Sequence, residues 1–421
     1  MEVNSKLTLN VQSEVGKLEA VMLHKPGREV ENMTPQTIEK ALYSDILNLP
    51  IAQKEYQQLY GVLNKHAKVF EVTAMLTEVL KDTQKREKLI RRICQTEQAM
   101  SYYETLISMS APQLAQTLIE GLPAKPNTLT SFVQNEFYAL PPLYNFYFTR
   151  DASVTVGNNV LICKMANDVR MRESIILEAI FGSGIFFNCN LVDTFEFAHS
   201  PSQPINIEGG DVLIARDDIL LVGNGCRTST KAIDSLIERL CKDKQDKRHV
   251  IVQELPETPE SFIHLDMVFT LLDKNSAMTY KPLVLDHNMF RTIHIEVDNG
   301  KVSNISTVAN IPSVLGKLGM DIEPIICGGD NEWHQQREQW HSGANSFAIE
   351  PGKVLAYARN IHTVEALAKH GFEVATAWDI IDNKFDTEKA KRCVITIEGS
   401  ELPRGGGGPR CMTMPLRRQS L

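Results

Sequence analysis

Four short segments, far apart in the chain, hold side chains that could do chemistry together. They are FTRDAS with Arg150 and Asp151, NIEGGD with Glu208 and Asp211, FIHLDMVF with His264 and Asp266, and RGGGGPRCMTMP with Cys411. A thiolate is a strong nucleophile, an imidazole moves protons near neutral pH, and carboxylates grip cations. Most free cysteines are small buried apolar residues, and Cys163 in VLIC and Cys393 in CVITI read that way. Cys411 does not, because it sits among Gly and Pro where packing gives no reason for a thiol. His264 and Asp266 are two apart, so a strand would point both to one face. Amid Phe262, Ile263, Met267 and Val268, two ionisable groups would be costly to bury without partners. Taken singly, Asp151 and Asp211 read as turn or capping residues, Asp211 the more so.

Other chemistries fit less well. GGDNEWHQQREQWH offers His334 and His341, but seven residues apart rather than at the i, i+4 spacing of a helical zinc pair, so no metal site is expected. No Gly-x-Ser-x-Gly elbow occurs for a serine hydrolase. The run Gly405 to Gly408 lacks the Lys-Ser/Thr that follows a phosphate-cradling loop.

The elements that must hold these segments repeat. ASVTVGNNVLIC reverses at Gly157–Asn158, GGDVLIARDDILLVGNG at Asp217–Asp218, VFTLLDKNSAMTY around Asp273–Asn275, and NSFAIEPGKVLAYARN at Pro351–Gly352. Turn residues between alternating apolar runs signal hairpins. Helical spacing then follows in Val169 to Phe181, Ser229 to Leu240 and Thr363 to His370. This recurrence predicts a repeated supersecondary unit rather than a doubly wound sheet. The strands expected at Leu18 to His24 and Val394 to Glu398 could complete a ring of such units. One stretch departs from the rhythm: residues 74–141 read mostly as helix, with a start at Ser110 before Pro112 and a stop at Gly121. The expectation is a body of residues 1–73 and 142–421 carrying a helical insertion over 74–141.

Composition bounds the function. Apolar residues at 43% and charged ones at 23% are ordinary for a globular chain, which excludes disorder. A formal net charge of −8 argues against a general nucleic-acid partner. No apolar run approaches the ~20 residues a membrane helix needs, and Met1 to Glu14 lacks the layout of a signal peptide. A cytoplasmic location and no membrane partner are expected.

GKLEAVMLHKPG, FTRD, IEGGD, GNGCRTS, HLDMVF, REQW, NSFAIEPG and RCMTMP, in this order along nearly the whole chain, closely resemble the arginine deiminases. The resemblance implies an α/β fold, a pseudo-fivefold propeller of ββαβ modules around a central site, and hydrolysis of free L-arginine to L-citrulline and ammonia without a cofactor. Carried over residue by residue, it implies Cys411 as nucleophile, His264 as general acid and base, and Glu208 as the carboxylate beside that histidine. Asp151 and Asp266 match the acids that hold the guanidinium, while Asn145, Arg170 and Arg227 match positions that receive the α-carboxylate. Without the resemblance, Arg170 in a charged helix and Arg227 before a Ser/Thr-rich helix start read as solvated. A homo-oligomer is expected.

The chain departs from the family pattern at Gly406, where a second loop arginine is usual, and at Ala152 and Ala358. Four consecutive glycines are expected to make that loop more mobile. Two rival readings remain: a deiminase or amidinotransferase acting on a related guanidino compound, and a catalytically silent arginine-binding module.

Overall fold

Turn residues fix where the chain reverses, and each expected hairpin forms. Ser153–Val156 pairs antiparallel with Asn159–Ile162 around Gly157, whose φ of 59° suits a residue without Cβ. Val212–Arg216 pairs with Ile219–Asn224, Phe269–Asp273 with Ser276–Thr279, and Phe347–Glu350 with Lys353–Tyr357. The computed structural model describes residues 6–35, 37–38, 41–126, 128–133, 137–197, 205–242 and 245–421. Met1 to Ser5 of the N-terminal stretch considered above lie outside the described residues.

Each hairpin continues in the same way. A helix follows, and the chain returns to lay a third strand parallel to the second. Met171–Gly182 leads to Asn190–Asp193 and Thr230–Cys241 to Arg248–Glu254, while Ile361–Lys369 leads through the added edge strand Glu373–Thr376 and the helix Ala377–Ile381 to Cys393–Ile397. Ser229 accepts the Ala232 N–H and so starts its helix where expected. In the fourth unit the crossover to Glu323–Ile326 carries the hairpin Thr292–Asp298/Lys301–Val308, which adds two strands beside Arg248–Glu254. A fifth unit joins the two ends of the chain. Leu18–Leu23 pairs antiparallel with Met414–Arg418 and, after the helix Leu49–His66, parallel with Lys68–Glu71. Leu18–Leu23 is thus partnered by a C-terminal strand that MPLRR, with its proline, does not announce, whereas Cys393–Ile397 belongs inside the preceding unit. The result is a mixed α/β fold in which five three-stranded arrangements share one pairing pattern.

Helices dominate from Val72 to Glu120, and Ser110 with Gln113 forms a capping box at Ala111–Glu120, which ends on Gly121 at φ 93°. Their apolar faces do not make a separate core. Leu76, Ile90 and Leu118 join Leu161 and Ile176 of the unit that opens at Ser153 in one continuous cluster.

The segment FIHLDMVF corrects an expectation. Leu265–Met267 is a 3-10 turn, and the strand begins only at Phe269. The backbone leaves the ladder because side chains satisfy it: Asp211 accepts the Leu265 N–H at 2.8 Å and Gln339 donates to the Met267 carbonyl at 3.3 Å. Asp211 thereby fills the capping role expected of it.

Candidate active site

The loop just before the first strand of each unit points a polar side chain to the same place. Asp151 precedes Ser153–Val156, Glu208 precedes Val212–Arg216, and His264 and Asp266 precede Phe269–Asp273. Asn345 precedes Phe347–Glu350, and Cys411 precedes Met414–Arg418. Residues scattered over more than half the chain are thus brought together by five equivalent chain entries.

Cys411 is buried, with its sulfur 3.1 Å from Asn345 Nδ2 and 3.6 Å from Asp266 Oδ2. Asn345 also accepts the Cys411 backbone N–H at 3.1 Å and donates to the Asp266 carbonyl at 3.2 Å. One amide therefore sets both the thiol and the acid beside it. Burial, and then the charges of Asp266 and Asp151, push the thiol well above its usual pKa.

His264 Nε2 lies 2.9 Å from Glu208 Oε2, and its Nδ1 faces Asp151 Oδ1 at 3.7 Å. Neither Nδ1 nor Asp151 Oδ1 has a hydrogen-bond partner, so both are available to a guest. Burial works against a charged ring, but Asp151, Glu208 and Asp211 outweigh it and raise His264 to about 9. It is an imidazolium at neutral pH. Glu208 is itself buried, which would raise it, yet Arg227, His264 and Arg170 hold it well below the usual carboxylate range. Burial pushes Asp211 up to about 6.

Two further arginines shape the acids. Arg170 Nη1 donates to Asp151 Oδ2 at 2.8 Å, while its Nε and Nη2 are held by buried Glu173. Arg410 Nη1 donates to Asp266 Oδ2 at 2.7 Å, and its Nε and Nη2 are held by buried Glu14. Each acid thus has one oxygen tied to an arginine; of the others, Asp151 Oδ1 has no hydrogen-bond partner and Asp266 Oδ1 has the Cys411 thiol at 3.8 Å. Asp151 Oδ1 and Asp266 Oδ1 are the pair left for a planar cation.

A narrow cavity is lined by Asp151 and Cys411, with Leu42, Phe148 and Ile263 among its apolar walls. All three residues expected at the α-carboxylate line it: Asn145, Arg170 and Arg227. They are not equally free. Asn145 donates to the Ala41 carbonyl at 2.7 Å, and Arg170 is committed as described. Arg227, 3.5 Å from Glu208, is the least engaged.

The glycine run is not a loose tether. A Cβ on Gly405 would collide with the Tyr147 hydroxyl, one on Gly407 would lie 2.5 Å from the Phe148 ring, and one on Gly408 2.8 Å from Asn345. These three glycines permit close approach of the loop to Tyr147, Phe148 and Asn345. Gly406 alone, at φ 85°, faces open space.

Asp151, Glu208 and His264 form the one group among the described residues that could hold a metal ion. Arg170 and Arg227 already lie within 3.9 Å of Glu208, an environment that disfavours a further dication. His334 stacks on His362 at 3.7 Å, remote from that group in its contacts. Arg150 is buried beside the Arg410 carbonyl and does not line the cavity. Glu14, Glu173, Asn345 and Arg410 were not singled out as site residues. Asn345 alone had a usable signal: it stands before the first strand of a unit, as the others do.

The architecture is one used by enzymes that act on guanidino groups. It resembles SxtG, an amidinotransferase from Microseira wollei in the saxitoxin biosynthetic pathway, with a TM-score of 0.52 and 15% identity over 99% of this chain and 98% of that one. It also resembles the N-terminal domain of ArgZ, an arginine dihydrolase from the ornithine-ammonia cycle in cyanobacteria, with a TM-score of 0.51 and 14% identity over 96% and 99%. Residues 39–418 match the arginine deiminase family model. The arginine deiminase of Bacillus cytotoxicus is 32% identical over 99% of this chain and 100% of its own length, and that of Listeria monocytogenes serotype 4a is 32% identical over 98% of each. The chain belongs to the arginine deiminase family and is an enzyme.

Proposed function

We propose that this protein hydrolyses free L-arginine to L-citrulline and ammonia through a covalent intermediate on Cys411. The observation that carries the reading is that Cys411 and Asp151 line one small cavity, with Asp266 3.6 Å behind the thiol and His264 3.7 Å from Asp151. The substrate guanidinium lies between Asp151 Oδ1 and Asp266 Oδ1, and Arg227 meets the α-carboxylate with Asn145 and Arg170 beside it. Placing that cation by the thiol reverses the field that keeps it neutral, so the Cys411 proton leaves to solvent as substrate binds. The thiolate attacks the guanidinium carbon, and the C–N double-bond pair moves onto nitrogen. His264, protonated in the free site, gives its proton to the departing amine; the C–N bond breaks and ammonia leaves. A thiouronium remains on sulfur. The now neutral His264, held by Glu208, takes a proton from water as that water attacks the same carbon. Collapse of the second adduct breaks the C–S bond and releases citrulline.

The five repeated units support a pseudo-fivefold propeller around this site, with residues 74–141 as a helical insertion packed on the unit that opens at Ser153. Eight free cysteines suit a reducing cytoplasm, where the protein is read as a homo-oligomer. No described helix is long and apolar enough to cross a membrane.

The test is incubation of the purified protein with arginine alone, following citrulline and ammonia, with acid quenching and mass analysis of the Cys411 peptide. Equal yields of both products and an amidino adduct on Cys411 are expected. Turnover only when an amine acceptor is added would establish a transferase, and arginine binding without turnover a silent module.

A further inference from the structure

The reaction cavity does not end at the surface. It adjoins an outer chamber of about 120 Å³, and the two share Leu42, Arg227, Ile263, Gly405 and Gly406 as walls. Gly406 matters most at this passage, because nothing stands within 4 Å of where its Cβ would be. The boundary is therefore unobstructed at the residue best placed to close it.

The outer chamber has a chemistry of its own. Trp340, 46% exposed, lines it together with Ile263, giving the chamber an apolar wall. Glu257 and Glu260, both exposed, give it carboxylates. Its one cationic wall besides Arg227 is Arg404, which is already paired with Asp45 and Glu401. Arg227 belongs to both chambers, so a carboxylate bound there sits at the threshold. Groups on the neighbouring α-nitrogen then extend outward.

We propose that the site also accepts short peptides whose C-terminal residue is arginine, turning them into the corresponding C-terminal citrulline peptides. This rests on the arginine-hydrolysis reading of the same site. The free C-terminal carboxylate meets Arg227 as that of arginine does. The peptide bond on the α-nitrogen passes Gly406. The preceding side chain lies on Trp340 and Ile263, and the peptide's terminal ammonium faces Glu257 and Glu260. The bonds made and broken are those of the parent reaction: peptide arginine plus water gives peptide citrulline plus ammonia.

The experiment compares phenylalanyl-arginine, arginyl-phenylalanine and free arginine as substrates of the full chain, with mass analysis separating intact dipeptide products from any free amino acid. Phenylalanyl-arginine should be deiminated with kcat/KM within about tenfold of that for arginine. Arginyl-phenylalanine, whose arginine has no free carboxylate, should lose at least 10-fold more. Trp340→Ala should raise the KM for phenylalanyl-arginine several-fold more than that for arginine, in protein whose melting temperature matches the wild type. The proposal is overturned if arginine turns over while phenylalanyl-arginine neither reacts nor competes, or if both dipeptides react alike. Failure of all three substrates, arginine included, would instead overturn the reading of the site itself.

Discussion

Two walls of the reaction cavity are built on one plan and tuned to opposite ends. On one, Asp151 is held by Arg170, which is backed by Glu173; on the other, Asp266 is held by Arg410, which is backed by Glu14. Each is a buried acid–arginine–acid row with one carboxylate oxygen left over. The first row faces an imidazole and the second a thiol. The same negative field therefore makes His264 a cation and keeps Cys411 neutral. In the proposed mechanism, one electrostatic design prepares the proton donor and restrains the nucleophile until a cationic substrate arrives.

The largest effects should come from the two reacting groups. Cys411→Ala should abolish citrulline formation, a loss of about 10⁴-fold or more, while leaving arginine binding measurable by calorimetry. His264→Gln should cost about 10²–10⁴-fold in kcat. Substantial turnover in the cysteine variant would end the covalent reading.

The backing acids then separate the walls. Glu173→Gln and Glu14→Gln each strip a buried arginine of one of the carboxylates that hold it, and each should lower unfolding free energy by about 3 kcal/mol or more in denaturant titrations. Their chemical signatures should differ. Arg410 freed of Glu14 places more net positive charge beside Cys411, so iodoacetamide should alkylate the ligand-free Glu14→Gln variant faster than wild type. Arg170 freed of Glu173 should instead lower the pKa of His264. The wild-type alkaline limb of kcat/KM, where the imidazolium is lost on raising pH through about 9, should then move to lower pH. If both substitutions shift the same limb and the same alkylation rate, the two walls are not independent.

Smaller effects concern the guest. Arg227→Ala should cost about 1.5–3 kcal/mol of transition-state binding with arginine and much less with any residual agmatine activity, since agmatine has no carboxylate. Free Cys411 should alkylate slowly at pH 7, and added guanidinium chloride at matched ionic strength should accelerate it. A largely ionised thiol without ligand would remove the case for substrate-triggered activation.

Much of this arrangement is legible in the chain itself. Turn chemistry at Gly157, Asp218, Asn275 and Gly352 and the helical spacing after three of those hairpins mark the repeated units, because they depend on local backbone preference and periodicity. The placement of Cys411 among glycines and prolines, and the ionisable pair His264 and Asp266 amid apolar residues, mark chemistry for the same local reasons. Other features have no local signal. Met414–Arg418 becomes a strand only because Leu18–Leu23, at the other end of the chain, offers it an edge. His264 and Asp266 share the site without sharing a strand, because Asp211 and Gln339 hold that backbone in a turn. Gly405, Gly407 and Gly408 read as freedom in sequence and prove to be close packing against Tyr147, Phe148 and Asn345.

What the sequence determined by itself was which residues are candidates for the chemistry and which units carry them, since residue type and spacing are local properties. What only the tertiary structure decided was their electrostatic state. The pairing of Asp151 with Arg170, of Asp266 with Arg410, and of the thiol with Asn345 joins segments 19, 144 and 66 residues apart. Charges act through space, so no reading along the chain could place them.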